Sequence, residues 1–264
     1  MMDAQTLIDR LGEIVGPENV LSSQMDLMLY SYDASLAKGE PDVVVLPNST
    51  KEVSKIMALA HKEKIPILGR GSGTNLTGGT IPVKGGIVVH FSRMNRILDL
   101  DIPNRTVTVE PGVITLDLQT EVLKKGFVYQ PDPASQKVST IGGNVAENSG
   151  GPHCLKYGVT SNHVQGLELV LNDGTIVKTG GKAWDKPGLD ITGLFVGCEG
   201  TLGLMTQAIL KLERAPEAVK TMLAIYETIE DGANTVSAII AEGIIPATLE
   251  MMDNRVMRAV EETI

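Results

Sequence analysis

The sequence predicts an α+β fold in which a parallel strand–helix–strand unit is followed by a body rich in antiparallel hairpins. Residues 42–68 show the strand–helix–strand order, because two short apolar runs flank an amphipathic stretch. Two later stretches, 97–110 and 167–178, alternate apolar and polar residues on both sides of a turn. This mixture argues against a simple doubly wound sheet.

The strand–helix–strand unit begins with a buried-strand run at residues 42–46, which Pro47 ends. Residues 49–52 (STKE) have the pattern of a helix start. The apolar face of this helix consists of Val53, Ile56, Met57 and Ala60. Residues 65–68 form the second strand. Ahead of the unit, an N-terminal amphipathic helix places Leu7, Leu11 and Ile14 on one face.

The hairpin-rich body follows a strand at residues 86–91. Its predicted elements are a hairpin of strands 97–101 and 106–110, a helix at 115–125 ended by Gly126, a short helix at 141–147, and a hairpin of strands 167–171 and 175–178 closed by Asn172-Asp173-Gly174.

The character of the chain changes at residues 214–217. The predicted elements beyond this point are a strand at 220–226, a helix at 229–242, a strand at 247–252 and a helix from Asp253 onward. Two strands and two helices cannot bury both faces of such a small sheet. We therefore expect a second domain that is incomplete here, completed by a separate polypeptide or belonging to a longer chain.

Composition limits the classes of function. The chain has 264 residues, 42% hydrophobic content and a net charge of −9, with scattered basic residues, so a nucleic-acid surface is not expected. No stretch approaches the length of a membrane span. Cys154 and Cys198 are far apart and form no C-x-x-C pair, which excludes an iron–sulfur cluster held within this chain and favours a reducing, cytoplasmic location. No metal site is predicted.

The glycine-rich run at residues 69–79, GRGSGTNLTGG, invites comparison with two phosphate-binding loops. A Walker loop requires a lysine after its last glycine, but Gly78 is followed by Gly79 and Thr80. A dinucleotide fingerprint requires a third glycine where Leu76 stands and a helix opening at once, which Pro82 forbids. Both loops are therefore disfavoured.

Two interpretations of this run remain. It is a flexible hairpin tip, or it is an extended loop whose successive backbone N–H groups bind a pyrophosphate without a lysine or a helix dipole. Residues 131–135 and 139–151 form a second segment of glycines and small polar side chains. A ligand with a pyrophosphate and a flat polar ring would occupy both segments.

Several motifs in this order resemble the FAD-binding domain of FAD-linked oxidases. They are the glycines and threonines of 71–80, IGGNVAENSGG at 141–151, Tyr157-Gly158, and GCEGTLG at 197–203. The resemblance is to the vanillyl-alcohol oxidase superfamily, and more narrowly to its branch of D-lactate dehydrogenases and GlcD-type glycolate oxidases. It covers about residues 33–216, and PATLEMMD at 246–253 also resembles this branch.

The resemblance implies a PCMH-type FAD-binding domain of two α/β subdomains at residues 1–216, followed at 217–264 by the start of a ferredoxin-like cap domain. It also implies contacts with FAD. The implied contact residues are Pro47, Arg70, Gly71, Ser72, Gly73, Thr74, Asn75, Gly79, Thr80, Pro131, Asp132, Ser135, Ser139, Thr140, Gly142, Gly143, Asn144, Asn148, Gly151, Tyr157, Gly158, Glu199, Gly200 and Ile209.

His153 is the candidate catalytic residue, because a histidine beside a flavin would orient a substrate carboxylate or accept a proton near neutral pH. A structural role and covalent attachment to the flavin are the alternatives. The remaining histidines, His61, His90 and His163, are expected to be structural.

The resemblance implies oxidation of a small D-2-hydroxy acid, of the D-lactate or glycolate class, by hydride transfer to flavin N5. An electron-acceptor protein or a partner subunit is the expected macromolecular partner, and a homo-oligomer stays open. The alternative is an FAD-binding or electron-transfer subunit that needs a partner chain to complete its substrate site. A sugar-nucleotide reductase of the same superfamily is disfavoured, because that group lacks the PATLEMMD-like segment.

Overall fold

Two β-sheets organise the fold in a computed structural model that describes residues 2–183 and 188–263. The strands are β1 (Val20–Leu21), β2 (Val43–Val45), β3 (Ile67–Arg70), β4 (Ile87–His90), β5 (Ile97–Asp101), β6 (Thr106–Val109), β7 (Phe127–Val128), β8 (Val164–Val170), β9 (Ile176–Gly180), β10 (Leu204–Lys211) and β11 (Glu213–Arg214). The helices are α1 (Ala4–Val15), α2 (Gln24–Met28), α3 (Thr50–Glu63), α4 (Thr115–Leu123), α5 (Ile141–Glu147), α6 (Cys154–Tyr157), α7 (Ile191–Phe195), α8 (Ile229–Ala241) and α9 (Asn254–Glu261).

The first sheet has the order β1-β2-β4-β3, with β2, β4 and β3 parallel and β1 antiparallel at the edge. Helix α3 connects β2 to β3, as the sequence predicts, and buries all four predicted apolar residues. Helix α1 packs beside it through Leu7, Leu11 and Val15, whereas Ile14 is only half-buried. These side chains and the valines of β2 form one hydrophobic core.

Strand β3 begins two residues later than the pattern predicts. Lys64 adopts a left-handed conformation (φ 58°), and the Ile65 amide donates to the Ala60 carbonyl at 2.9 Å. These bonds close the end of α3 in the manner of a Schellman cap. Residues 64–66 are therefore used in ending the helix before the strand starts.

The second sheet is antiparallel throughout, with the order β5-β6-β10-β8-β9. Both predicted hairpins are present, and Gly174 takes the positive φ (89°) that the Asn-Asp-Gly turn predicts. Helices α4 and α5 pack against this sheet through Leu118, Val122, Ile141 and Val145, which belong to a second hydrophobic core. The two cores correspond to the two subdomains of a PCMH-type fold.

Two hydrogen bonds join helix α3 to the second sheet. Thr50 Oγ1 donates to Glu168 Oε1 at 2.7 Å, and Ser54 Oγ donates to the Gly174 carbonyl at 2.6 Å. A Cβ on Gly174 would lie 2.8 Å from Ala58 Cβ, so the hairpin turn sits directly on the helix. Because α3 packs on the first sheet, these contacts hold the first sheet against the second.

The prediction for the C-terminal segment is half wrong. Helices α8 and α9 are present, but the expected strands at 220–226 and 247–252 are not formed, and residues 217–263 contain no strand. A strand requires hydrogen bonds to a neighbouring strand, and these stretches are largely exposed, with Leu223 and Ile225 more than four-fifths exposed. Apolar pattern alone therefore does not make them strands here.

No helix in the described ranges is both long enough and apolar enough to cross a membrane.

Candidate functional site

A cavity of about 290 Å³ lies between the two sheets, at the carboxyl ends of β3 and β4 and against the start of β10. Most of the predicted contact residues line it: Arg70, Gly71, Ser72, Gly73, Thr74, Asn75, Gly79, Thr80, Ser135, Ser139, Thr140, Gly142, Gly143, Asn144, Glu199 and Gly200. The glycine-rich run and the second glycine segment, separated by some sixty residues in sequence, thus face one space.

The glycine-rich run forms a cradle along one wall of the cavity, made of residues 70–80. Within the described residues, the amide N–H groups of Ser72 to Leu76 have no acceptor in hydrogen-bond distance, and all of these residues line the cavity. Gly73 and Gly78 have positive φ values of 67° and 77°, so the backbone of this loop turns at two points where a side chain would be strained. Consecutive free amides on a concave surface form a site for an anion.

Arg70 begins the cradle, and it is only 6% exposed. Its Nη2 donates to the Tyr32 carbonyl at 2.7 Å, and its Nη1 reaches the Thr80 carbonyl and hydroxyl at 3.4 Å. Burial lowers the pKa of this guanidinium, and the neighbouring Asp33 carboxylate works in the opposite direction. The strongest observed bonds of Arg70 therefore hold the loop in shape.

Asp33 ties the cradle to the preceding segment. Its Oδ2 accepts from Asn75 Nδ2 at 2.8 Å, and its Oδ1 accepts from the Ser35 amide at 2.7 Å. Burial acts to raise the pKa of Asp33, but the hydrogen bonds from Ser35 and Asn75 and the charge of Arg70 together lower it. The cradle is thereby braced by an ionised carboxylate that was not predicted as a site residue.

Helix α5 forms the floor of the cavity. Thr140 caps it by accepting from the Gly143 amide at 3.2 Å, and the Gly142 amide donates to the Pro111 carbonyl at 2.8 Å. Buried Asn144 donates to Thr115 Oγ1 at 2.7 Å. Because its first amides are bonded within the protein, α5 supplies shape rather than anion-binding N–H groups.

The glycines of the floor are required by close packing. A Cβ on Gly142 would lie 2.8 Å from Pro111 Cβ, and a Cβ on Gly71 would overlap Thr140 Oγ1. The cradle and the floor therefore meet at Gly71 and Thr140. Side chains at these glycines would push the two segments apart.

An apolar wall and a carboxylate in addition to Glu199 complete the cavity. Neither was predicted from the sequence. The wall consists of Phe91, Leu169, Phe195, Leu204 and Met205, and the carboxylate is Glu147 at the end of α5. Phe91 and Leu169 lie in stretches that the pattern predicted as strands, whereas Phe195 ends helix α7 and Leu204 and Met205 begin β10, neither of which was predicted. Glu147 lies inside the quoted IGGNVAENSGG motif, where its charge beside the glycines was the available signal.

The remaining predicted residues do not line this cavity: Pro47, Pro131, Asp132, Asn148, Gly151, His153, Tyr157, Gly158 and Ile209. Pro47 is buried after β2, and Ile209 pairs with Thr108 and Gly166 inside the second sheet. Asn148 ends α5 in a left-handed conformation and accepts from the Ser161 amide at 2.8 Å. Their contact with FAD stays a prediction.

Asp132, Gly151, His153 and Tyr157 form a separate cluster beside the cavity. His153 Nδ1 lies 2.5 Å from Asp132 Oδ2, with the His153 side chain 40% exposed and the Asp132 side chain 14% exposed. The Tyr157 ring centre is 6.3 Å from that of His153. A Cβ on Gly151 would overlap Asp132, so the histidine segment packs tightly on residues 131–135, which reach the cavity through Ser135.

The described residues contain no group of three or more His, Cys, Asp and Glu side chains arranged to hold a metal ion. The polar groups that line the cavity are amides, hydroxyls, carboxylates, the Arg70 guanidinium and the Cys198 thiol.

The residues present fit FAD. The free amides of Ser72 to Leu76 match a pyrophosphate, which needs donors, and glycines along the cradle and floor leave backbone surface where a Cβ would intrude. The apolar wall at Phe91, Phe195 and Leu204 suits a flat ring system.

Comparison with known proteins agrees with this fit. Residues 41–180 match the family model described as "FAD binding domain", and residues 215–264 match "FAD linked oxidases, C-terminal domain". The fold is similar to that of a solved structure of p-cresol methylhydroxylase with substrate bound. The two superpose with a TM-score of 0.77 at 22% identity, and the match covers 89% of this chain and 48% of that one. At that identity the likeness concerns the fold, and it confirms the predicted PCMH-type architecture.

Two curated relatives are similar along nearly the whole chain. Glycolate oxidase subunit GlcD of Bacillus subtilis (strain 168) is 52% identical, with 96% of this chain and 54% of the relative aligned. D-lactate dehydrogenase of Anaerostipes hadrus is 36% identical, with 97% of this chain and 54% of the relative aligned. The chain spans about half the length of these relatives. By its family match the chain belongs to the FAD binding domain family, with FAD as its cofactor, and it continues into the C-terminal domain of FAD-linked oxidases.

Proposed function

We propose that this chain is the FAD-binding part of an oxidoreductase that oxidises a D-2-hydroxy acid of the D-lactate or glycolate class. The observation that carries the proposal is the row of free amides at Ser72 to Leu76, facing an apolar wall across one cavity. Such a cavity accepts a ligand that is anionic at its middle and flat at one end. The named relatives, GlcD and a D-lactate dehydrogenase, supply the substrate class.

The protein contributes in two ways: it positions the reacting groups, and it accepts a proton from the substrate. When bound, FAD supplies the acceptor for the hydride that leaves the α-carbon of the substrate. His153 accepts the proton of the substrate hydroxyl at Nε2, because Nδ1 is occupied by Asp132. The Asp132 carboxylate holds the ring in one orientation, which is the arrangement that suits a general base.

Residues 1–216 form the FAD-binding domain in this proposal, and 217–264 begin a substrate-binding cap. The cap segment leaves large apolar side chains uncovered, among them Met222, Leu223 and Ile225. These apolar side chains offer no charged or hydrogen-bonding group to the carboxylate of a small acid. The chain by itself is therefore expected to bind FAD and to oxidise substrate slowly or not at all.

The second candidate is an FAD-binding or electron-transfer subunit whose partner chain completes the substrate site. The same uncovered apolar side chains favour it, because they offer surface to another polypeptide. The electron-acceptor protein, a homo-oligomeric state and a cytoplasmic location stay predictions from the sequence.

Anaerobic spectroscopy tests the proposal. The purified chain is reconstituted with FAD, and D-lactate, glycolate and L-lactate are added separately while the flavin absorbance is followed. Bleaching by D-lactate or glycolate, even over hours, and not by L-lactate, supports the first candidate, and bleaching only after a partner polypeptide is added supports the second. Failure to bind FAD refutes both. Flavin that stays with the acid-precipitated protein would show covalent attachment, and His153→Ala then tests that residue.

A further inference from the structure

Two carboxylates converge on the cradle at Gly79. A Cβ on Gly79 would lie 2.8 Å from Glu199 Oε2 and 3.5 Å from Glu147 Oε1. Glu199 is held there in a left-handed conformation (φ 52°), with its amide donating to the Ala146 carbonyl at 2.9 Å. Both side chains line the same cavity as the free amides of the cradle.

Glu147 has few groups that would stabilise its charge. Its two oxygens lie 3.0 and 3.2 Å from Thr77 Oγ1, a single hydroxyl that donates to one of them at a time. The charged groups acting on it are the Glu199 and Asp33 carboxylates. Arg70 directs its donors to Tyr32 and Thr80, and no ion pair to Glu147 is formed among the described residues.

These surroundings already make the Glu147 carboxyl hold a proton more tightly than an ordinary glutamate does. Burial raises the pKa of Glu147, the Thr77 hydrogen bond works to lower it, and the charges of Glu199 and Asp33 raise it further. An anion in the cradle would add negative charge beside Glu147 without adding a cation. The affinity of the carboxyl for a proton then rises again, because like charges disfavour ionisation.

We propose that Glu147 takes up a proton when FAD binds, so that occupancy of this cavity is coupled to the protonation of one carboxyl. The proposal rests on the assignment of the cavity to FAD. The proton comes from solvent and stays on the Glu147 carboxyl, with the Thr77 hydroxyl in contact with it. Glu147 is thus a cofactor-facing residue that sets the pH range of cofactor binding.

The direction of the pH effect follows from linkage. If the pKa of Glu147 is higher in the complex than in the free chain, FAD binds most tightly below the free pKa. Affinity then falls as the pH rises, at most tenfold per pH unit, until the pKa of the complex is passed. Above that pH the affinity is low and constant.

The test measures FAD binding to the whole chain from pH 5 to pH 8 at constant ionic strength, by quenching of flavin fluorescence. Calorimetry in buffers of different ionisation enthalpy counts the protons taken up. We expect wild type to bind more tightly at low pH, with uptake of a substantial fraction of one proton. Glu147→Gln should bind FAD with no uptake and with an affinity that no longer depends on pH.

Glu121→Gln is the matched control, since Glu121 is also a helical glutamate but lies outside the cavity and pairs with Lys124. It should behave as wild type does. Thr77→Val, at an exposed position, provides a second variant if Glu147→Gln misfolds, and it should move the pH range of the effect upward. Wild-type binding without proton uptake, or full uptake retained by Glu147→Gln, would overturn the inference while leaving FAD binding intact. No FAD binding at any pH would overturn the inference and the proposed function together.

Discussion

His153 Nδ1 lies 2.5 Å from Asp132 Oδ2, so Nδ1 is the ring nitrogen that is hydrogen-bonded to the carboxylate. The His153 amide also approaches Asp132 Oδ1 at 3.4 Å, and the pair is therefore held by backbone as well as by side chain. The two residues come from segments twenty-one positions apart, joined where Gly151 packs on Asp132.

Removing the carboxylate should change the tautomer of His153. In wild type we expect the neutral ring to carry its proton on Nδ1, because the Asp132 carboxylate accepts it, leaving Nε2 free. In Asp132→Ala this preference is lost. Nitrogen chemical shifts of the labelled imidazole report the tautomer directly. Asp117→Ala, on the outer side of α4, is the control, and an unchanged His153 spectrum in Asp132→Ala would show that the pairing does not orient the ring.

A methyl group at Gly71 should weaken FAD binding. The Cβ of Gly71→Ala would overlap Thr140 Oγ1, the atom that caps α5, so the cradle and the floor of the cavity must separate. We expect at least a tenfold rise in the FAD dissociation constant, and a stability loss of about 1 kcal/mol from the disturbed cap. Fluorescence quenching and urea denaturation measure the two effects.

Gly181→Ala is the matched control for this prediction, because a Cβ on Gly181 meets nothing within 4 Å and the residue lies outside the cavity. Equal FAD affinities for the two variants would contradict the packing argument.

The two glycine-rich segments that the sequence assigned to one ligand do line one cavity, and both depend on backbone chemistry that the residue types reveal. Glycines at Gly71 and Gly142 stand where a side chain would collide, and neutral polar residues surround them. The strands that the pattern predicted in the two sheets, β2 to β6, β8 and β9, are present to within about three residues, since burial and turn residues act locally there. The edge strand β1 and the central strand β10 were not predicted.

The parts that were missed depend on distant contacts. Glu147 became a cavity residue only because the loop at Gly79 folds over α5, and Asp132 met His153 through the close approach of Gly151. The strands expected at 220–226 and 247–252 failed for a related reason, because a strand depends on a neighbour that local pattern does not supply. Strand pairing and the meeting of side chains from distant segments depend on tertiary structure, so residue spacing alone does not predict them.

His163 should make the fold sensitive to acid. It is buried, with Nε2 2.9 Å from the Tyr157 carbonyl and Nδ1 without a partner among the described residues. Burial lowers the pKa of His163 below its ordinary 6.5, although the bond to Tyr157 works to raise it. A folded-state pKa below the unfolded one means that stability is full above pH 6.5 and is lost as the pH falls below it.

The measurement is the free energy of unfolding between pH 5.5 and 7.5. Each such histidine contributes a loss of at most about 1.4 kcal/mol per pH unit. His163→Gln should reduce this slope, whereas His61→Gln, at an exposed position of α3, should leave it unchanged. His90, whose pKa burial also lowers, should account for part of the slope that remains. The same slope in His163→Gln as in wild type would refute the assignment.

Leu204 should be more costly to truncate than its position at the start of β10 suggests. It is 4% exposed, belongs to the core of the first sheet although its strand is in the second, and forms part of the apolar wall of the cavity. A Cβ on Gly69 would lie 2.8 Å from Leu204 Cδ2, so this side chain fills the space between the sheets. Leu204→Ala should therefore destabilise the fold by about 2–5 kcal/mol and also weaken FAD binding.

Leu202→Ala is the control, because Leu202 is two residues away and 42% exposed, and the free energy of unfolding lost on its truncation should be much smaller. Urea denaturation without FAD separates the packing effect from the binding effect, and similar values for the two variants would show that Leu204 does not join the cores.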